Sequence, residues 1–145
     1  MKINRIDHVG IIVNDLSAAK AFFLDFGLET VGEGNVEGEW VDRIIGLQGV
    51  KATIVMLRTS DGGTNIELSK FHTPTDENSV SRPLANTPGI RHIAFVVEDV
   101  EAIVAKLKKK GTKLVGEIQN YENIYKLCYI RGPEGIILEL AEEIK

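Results

Sequence analysis

The chain has 145 residues, 43% apolar and 26% charged, which is enough to bury one ordinary core and unlike a disordered chain. A formal net charge of −4 and a pI near 5.4 offer no basic field to phosphate backbones, so nucleic acid is excluded as a partner. A single cysteine, Cys128, rules out an internal disulfide framework; with no secretory leader pattern and no apolar run near the roughly 20 residues of a membrane span, a soluble cytoplasmic protein without a membrane partner is expected.

An alternating strand is predicted over residues 3–13, with Val9, Ile11 and Val13 on one face and Ile6, His8, Gly10 and Ile12 on the other. Asp15 then caps a helix in which Ala19, Phe22, Phe23 and Phe26 recur at helical spacing, and Gly27 closes it. Three strand-like runs follow at 28–36, 51–58 and 64–70, the last two separated by the turn Asp61-Gly62-Gly63. Between Gly34 and Gly49, residues 40–47 read as a short helix. A connector carrying Pro74, Pro83 and Pro88 reads as an extended loop with one turn of helix. The pattern then restarts. A strand is predicted over 90–97, followed by the cap Asp99 and a helix with apolar Val100, Ile103, Val104 and Leu107 that stops at Gly111. Strand-like runs at 113–119, 124–131 and 135–141 complete it, with Gly132-Pro133-Glu134-Gly135 as the last turn. Lys106 to Lys110 complement the dipole at the helix end and read as a solvated terminus. Cys128, in the alternating run 125–130, reads as a half-buried small side chain and not as a nucleophile.

An offset of 84 residues carries Ile6-Asp7-His8-Val9-Gly10-Ile11 onto Ile90-Arg91-His92-Ile93-Ala94-Phe95, and Gly27 onto Gly111. Each copy ends in an apolar run with one glutamate, Asn65-Ile66-Glu67-Leu68 and Ile136-Ile137-Leu138-Glu139-Leu140. The expected architecture is α+β: two tandem βαβββ modules forming a curved mixed sheet around a metal-binding cleft. The boundaries are module one over 1–72, the connector over 73–88 and module two over 89–145, all within a single domain 1–145. Histidine and glutamate lie 59 residues apart in copy one and 47 in copy two, so copy one carries an insertion, placed between Gly34 and Gly49.

In each first strand the histidine shares its face with a very small residue two positions on, Gly10 or Ala94, while the opposite face is bulky. The bulky face belongs under the helices, and the histidine face lines a cavity. Glu67 and Glu139 point away from their apolar neighbours by the same alternation. A carboxylate in so apolar a strand is costly to bury unless paired or metal-bound, and two together repel unless a cation or proton lies between them. A strand histidine by itself is ordinarily a hydrogen-bonded structural residue, and a glutamate in a terminal strand ordinarily faces solvent. Their agreement in strand, face and copy makes His8, Glu67, His92 and Glu139 a candidate site for one divalent ion on a pseudo-twofold axis. A nitrogen–oxygen set without thiolate suits Ni, Zn, Co, Mn or Fe and does not choose among them.

With Gly-Pro-Glu-Gly-Ile-Ile-Leu-Glu-Leu at 132–140 beside the two histidine motifs, the chain resembles the vicinal oxygen chelate superfamily over nearly its whole length. That group holds glyoxalase I, methylmalonyl-CoA epimerase, fosfomycin and bleomycin resistance proteins and extradiol dioxygenases. The resemblance implies that the first and last strands of each module supply the ligands, here His8, Glu67, His92 and Glu139, as in bacterial-type glyoxalase I. It implies a divalent-metal-dependent lyase or isomerase of glyoxalase I type, stabilising an enediolate or enolate while a proton moves next to a carbonyl. Glu139 is then the first choice for the base and Glu67 its counterpart. The substrate is a small molecule with adjacent oxygens, and the assembly a homodimer, in some members with modules exchanged. A methylmalonyl-CoA epimerase-like enzyme is the alternative, since the module lengths and the proline-containing connector are also similar to it.

An Fe(II) ring-cleaving dioxygenase needs two histidines and one carboxylate, and the fourth position here holds Glu67. The remaining histidine, His72, lies next to the connector and reads as a solvated loop residue. A non-catalytic drug-binding protein is opposed by the intact quartet. Trp40 and Arg43 in the insertion, and Tyr121 and Tyr125 in the matching part of copy two, are candidates for a lid and for holding an anionic tail. Plain packing or surface placement is the competing reading of each. Arg82 and Arg131 are weaker candidates for the same task.

Overall fold

Each copy of the repeat folds into the same order of elements, and the computed structural model describes all residues except 77 and 79–81. The chain divides into two compact units, residues 1–79 and 80–145. The first holds β1 (His8–Ile12), α1 (Leu16–Phe26), β2 (Glu29–Glu37), α2 (Glu39–Ile45), β3 (Lys51–Arg58) and β4 (Asn65–Thr73). The second holds β5 (His92–Val96), α3 (Val100–Lys108), β6 (Gln119–Tyr121), β7 (Tyr125–Arg131) and β8 (Ile137–Glu143). The sheet orders are β1-β4-β3-β2 and β5-β8-β7-β6, so corresponding strands occupy corresponding places. In each sheet the first and last strands of the copy are parallel neighbours and the other pairings are antiparallel. The class is α+β with two four-stranded mixed sheets.

Local chemistry starts both helices where the sequence places them. The Asp15 carboxylate accepts from the Ala18 amide at 3.0 Å, and that of Asp99 from the Ala102 amide at 2.9 Å. Gly27, at φ 122°, returns its amide to Leu24 and Phe23 at the end of α1, in a left-handed region that a residue with a Cβ avoids. Each helix then buries one apolar stripe on its sheet. Ala19 and Phe23 of α1 are buried with Val55, Leu57, Ile66 and Leu68; Val100, Val104 and Leu107 of α3 are buried with Cys128, Ile130, Leu138 and Leu140. Each such large side chain contributes about 1.5–3 kcal/mol of transfer free energy.

The expected insertion helix exists as α2, and its Val41 packs with Val50 and Ala52 against Val36 and Phe71. The Asp42 carboxylate accepts from the amides of Gly49 and Val50 at 2.9 and 2.8 Å and fixes the return of the chain into β3. By register Val36, Ala52 and Phe71 share the sheet face of Glu67, so α2 covers one end of that face.

Three expectations are corrected. The first strand begins at His8, not residue 3, and Ile3 and Ile6 are exposed. The run expected at 113–119 is a single bridge between Leu114 and Ile130; the chain bends at Val115-Gly116, and only Gln119–Tyr121 pairs further, with β7. The Val115 amide still reaches the Tyr129 carbonyl at 2.8 Å, so the departure occurs at Gly116, where no side chain favours extended pairing. In the connector, expected over 73–88, the described residues contain a turn at 85–86 and no helix; residues 77 and 79–81 lie outside the described residues. The hairpin from β6 to β7 turns through Glu122, Asn123 and Ile124, the first two at positive φ, and the Ile124 amide donates to the Tyr121 carbonyl at 2.8 Å. Among the described residues no helix is long and apolar enough to cross a membrane.

Candidate metal centre

Strand pairing sets each candidate pair. Gly10 lies directly opposite Glu67 in the β1–β4 ladder, and Ala94 directly opposite Glu139 in the β5–β8 ladder. The histidine stands two residues earlier on the same face in both, so its ring leans over a residue with almost no side chain toward the carboxylate. His8 Nε2 is 3.4 Å from Glu67 Oε2, and His92 Nε2 is 3.3 Å from Glu139 Oε1. Exposure is matched as well: the side chains of His8 and His92 are 40% and 38% exposed, and those of Glu67 and Glu139 24% and 20%. Each pair is therefore half-open to solvent and within reach of a ligand.

The spacing fits a metal. Bonds of about 2.0–2.2 Å to nitrogen and oxygen place two ligands of one ion about 3–3.5 Å apart. Each pair offers an imidazole nitrogen and a carboxylate oxygen at that separation, without thiolate, as Ni, Co, Zn, Mn and Fe accept.

The two pairs differ in what surrounds them. His8 Nδ1 donates to Asp7 Oδ2 at 2.8 Å, and Asp7 is in turn 2.9 Å from Arg5. A carboxylate on Nδ1 fixes the tautomer that leaves Nε2 free for a metal. The Asp7 hydrogen bond, with smaller help from the charges of Glu67 and Asp7 and against partial burial, raises the His8 pKa above its usual value; the same bond lowers that of Asp7. Glu67 also accepts from the Ser69 hydroxyl at 3.3 Å. In the second unit, Tyr129 lies directly across the ladder from Glu139, and its ring centroid is 5.0 Å from that of His92. Burial first and the Glu139 charge second push its pKa up, so its phenol stays neutral. Neither Asp7 nor Tyr129 was expected in the site from the sequence.

The bend at Gly116 opens a cavity of about 370 Å³ beside Glu139, lined by Val115, Gly116, Glu117, Gln119, Leu127 and Tyr129, with Cys128 behind. Cys128 pairs with Leu140 on the helix side, is buried, and has its thiol pKa raised by burial first and Glu139 second. It is the inert small residue that the sequence implies.

The substrate candidates occupy varied places. Trp40 is 58% exposed on α2, and Arg43 on the same helix pairs with Glu39 one turn back. Tyr121 and Tyr125 face each other across the β6–β7 hairpin, on the face of Glu139 but about 13 Å further along the strand, at about 3.3 Å per residue. Arg131 donates to the Gly135 carbonyl at 2.8 Å and braces the turn before β8; the Arg82 side chain lies against the same glycine. Both have structural employment in the second unit. His72 sits at the register shift between β3 and β4, its Nε2 2.8 Å from the Thr53 hydroxyl, away from the pair on β1 and β4.

A sequence profile described as Glyoxalase/Bleomycin resistance protein/Dioxygenase superfamily matches residues 7–129. The uncharacterised protein YwbC of Bacillus subtilis is 32% identical over 140 residues, covering 95% of this chain and 97% of its own. The crystal structure of a glyoxalase family protein from Bacillus cereus superposes with a TM-score of 0.96 at 45% identity, covering 100% of this chain and 97% of that one. Glyoxalase I of Leishmania major, described as trypanothione-dependent, shares the fold at a TM-score of 0.69 and 23% identity, over 97% of this chain and 88% of that one. The chain belongs to the glyoxalase/bleomycin resistance protein/dioxygenase superfamily.

Proposed function

We propose that the protein is a divalent-metal-dependent lyase or isomerase of glyoxalase I type, moving a proton on a carbon next to a carbonyl. The observation that carries this reading is the pair of matched histidine–glutamate edges, 3.4 and 3.3 Å across, in the same register of two corresponding sheets. His8, Glu67, His92 and Glu139 would hold one ion between them. When bound, that ion supplies Lewis-acid stabilisation of the negative charge that develops on the substrate's adjacent oxygens. The protein's own groups do the rest.

Asp7 keeps the His8 Nε2 lone pair available. The Glu139 carboxylate takes the proton from carbon and returns it to the neighbouring position, with Glu67 as its counterpart from the other copy. The cavity beside Glu139 takes the reacting end of a small molecule with adjacent oxygens. Trp40 and Arg43 on α2, with Tyr121 and Tyr125 on the hairpin, are the candidates to contact the rest of it. We place the protein in the cytoplasm as a homodimer, the assembly common in this superfamily.

The test is metal-loaded protein in D2O, supplied in turn with a hemithioacetal and an acyl-CoA bearing an acidic α-proton. Deuterium in the isomerised product supports the glyoxalase type, and deuterium in recovered acyl-CoA supports epimerisation. Absence of exchange with both substrates contradicts the class, and oxygen uptake with a catechol would replace it by the dioxygenase.

A further inference from the structure

The bend at Gly116 brings an acid into the wall of the cavity beside Glu139. Glu117, the next residue, lines that space of about 370 Å³ together with Val115, Gln119, Leu127, Tyr129 and Glu139. Glu117 is exposed, and the Gln119 side-chain amide donates to its carboxylate at 3.3 Å and to the Ile118 carbonyl at 3.1 Å. With both amide protons so used, Gln119 has only its carbonyl oxygen left to offer. Apart from the Tyr129 hydroxyl, the polar side chains of the wall are therefore acceptors, and the remainder is the Tyr129 ring with Val115 and Leu127. None of the described lining residues is a lysine or an arginine. The two cations of β7 are engaged elsewhere. Lys126, on the opposite face of the strand, reaches Glu101 and Glu142 at 3.2 and 3.8 Å, and Arg131 donates to the Gly135 carbonyl.

We propose that this cavity selects its substrate by charge, with Glu117 as the specificity-determining residue. The group carried beyond the two adjacent oxygens is neutral or cationic, an alkylammonium above all, and not a carboxylate or a phosphate. This rests on the reading of the cavity as the place of the reacting end. When Glu139 holds an ion its charge is neutralised there, and Glu117 is the fixed charge left in the wall. An alkylammonium meets three suitable surfaces together. The Glu117 carboxylate answers its charge, the Gln119 carbonyl accepts from an N–H, and the Tyr129 ring with Leu127 receives its carbon atoms. An anionic group meets repulsion from the same carboxylate, with no ammonium or guanidinium in the described wall to offset it. Because Glu117 is exposed, each effect has the size of a surface ion pair, about threefold. The two compound to about tenfold between a cationic and an anionic tail of similar length.

The test compares three tails that differ in charge, those of thiocholine, 2-mercaptoethanol and 3-mercaptopropionate. Their S-lactoyl thioesters are titrated into Zn(II)-loaded full-length protein and followed by the amide shifts of Gly116, Glu117, Gln119, Leu127 and Tyr129. The methylglyoxal hemithioacetals of the same thiols are assayed for turnover in parallel. The expected result is that the cationic thioester binds about tenfold more tightly than the anionic one, with the neutral one between them and the difference shrinking in 1 M salt. Glu117→Gln should bring the ratio to about threefold or less, and Glu117→Lys should invert it; thermal melts control for folding. If Glu117→Lys fails to fold, Glu117→Gln alone decides the matter. No binding of any thioester, equal binding of all three, a preference for the anion, or a preference unchanged in Glu117→Gln overturns charge selection, and turnover in the parallel assay then leaves the proton-transfer reading standing. Charge-selective shifts without turnover of any hemithioacetal overturn the glyoxalase type and support the cavity's selectivity.

Discussion

The first and second units present the same histidine–glutamate edge and support it by different means. In both, a histidine opens the first strand, a residue with almost no side chain follows two positions later, and the facing glutamate sits in the same ladder register. The backing differs. The first edge is tuned from behind, where Asp7 grips the far nitrogen of His8. The second is flanked from the side, where the Tyr129 ring lies 5.0 Å from the His92 imidazole, directly across the ladder from Glu139. A duplicated scaffold thus fixes where donor atoms stand, and single substitutions around each copy set how they behave.

The sharpest way to break the likeness is to remove one carboxylate's basicity at a time. Glu139→Gln keeps an oxygen ligand but cannot accept a proton. It is expected to lower kcat by about 10²–10⁴-fold in whichever proton-transfer assay the parent supports, more than Glu67→Gln does. Equal losses would remove the distinction between the two glutamates.

Asp7→Asn tests the first edge. Metal affinity is expected to fall about 10–100-fold at neutral pH or above, measured by competition with a chromophoric chelator. The pH profile should move as well. Asp7 raises the His8 pKa, so in the parent protein a proton competes with metal for His8 below a pH higher than the usual imidazole range. Affinity is therefore lost as pH falls through that raised value. With asparagine the loss should begin at a lower pH, because the imidazolium has lost its carboxylate; an unmoved profile would contradict the role assigned to Asp7.

Smaller effects follow from exchanging corresponding positions. Cys128 pairs with Leu140 as Val55 pairs with Leu68, and both are buried. Cys128→Val should change stability by less than about 1.5 kcal/mol, read from denaturant melts. Gly10→Ala copies the Ala94 of the second unit, and an added Cβ meets nothing within 4 Å. Its expected effect is within about 1 kcal/mol, with metal uptake preserved. Loss of the metal in Gly10→Ala would show that the space beside His8 is tighter than it stands.

The repeat made the α+β class, both helices and the two edges legible, because period-two alternation and helix capping act locally and occur twice. The insertion helix, found in one copy only, was expected over residues 40–47 and forms over 39–45. Asp7 was missed for a definite physical cause. Alternation sends a preceding strand residue to the opposite face, but the strand starts at His8, and Asp7 lies before it, free to turn toward the ring. Tyr129 was missed because its partnership runs between strands. Register across an antiparallel pair is set by the turn, and the last turns differ, Asp61-Gly62-Gly63 in one unit and a short 3₁₀ turn at Pro133–Gly135 in the other. Tyr129 precedes Glu139 by 10 residues and Met56 precedes Glu67 by 11, so the sequence offset hid the correspondence. The bend at Gly116 had one visible signal, a glycine inside a predicted strand.

The most direct measurement counts metal. After loading with Co(II) or Ni(II) and gel filtration, elemental analysis of the parent protein should give one ion per chain. His8→Ala and His92→Ala, each checked for folding, should both fall far below that. Two ions per chain, or either variant retaining its full complement, would contradict a single ion shared by the two edges.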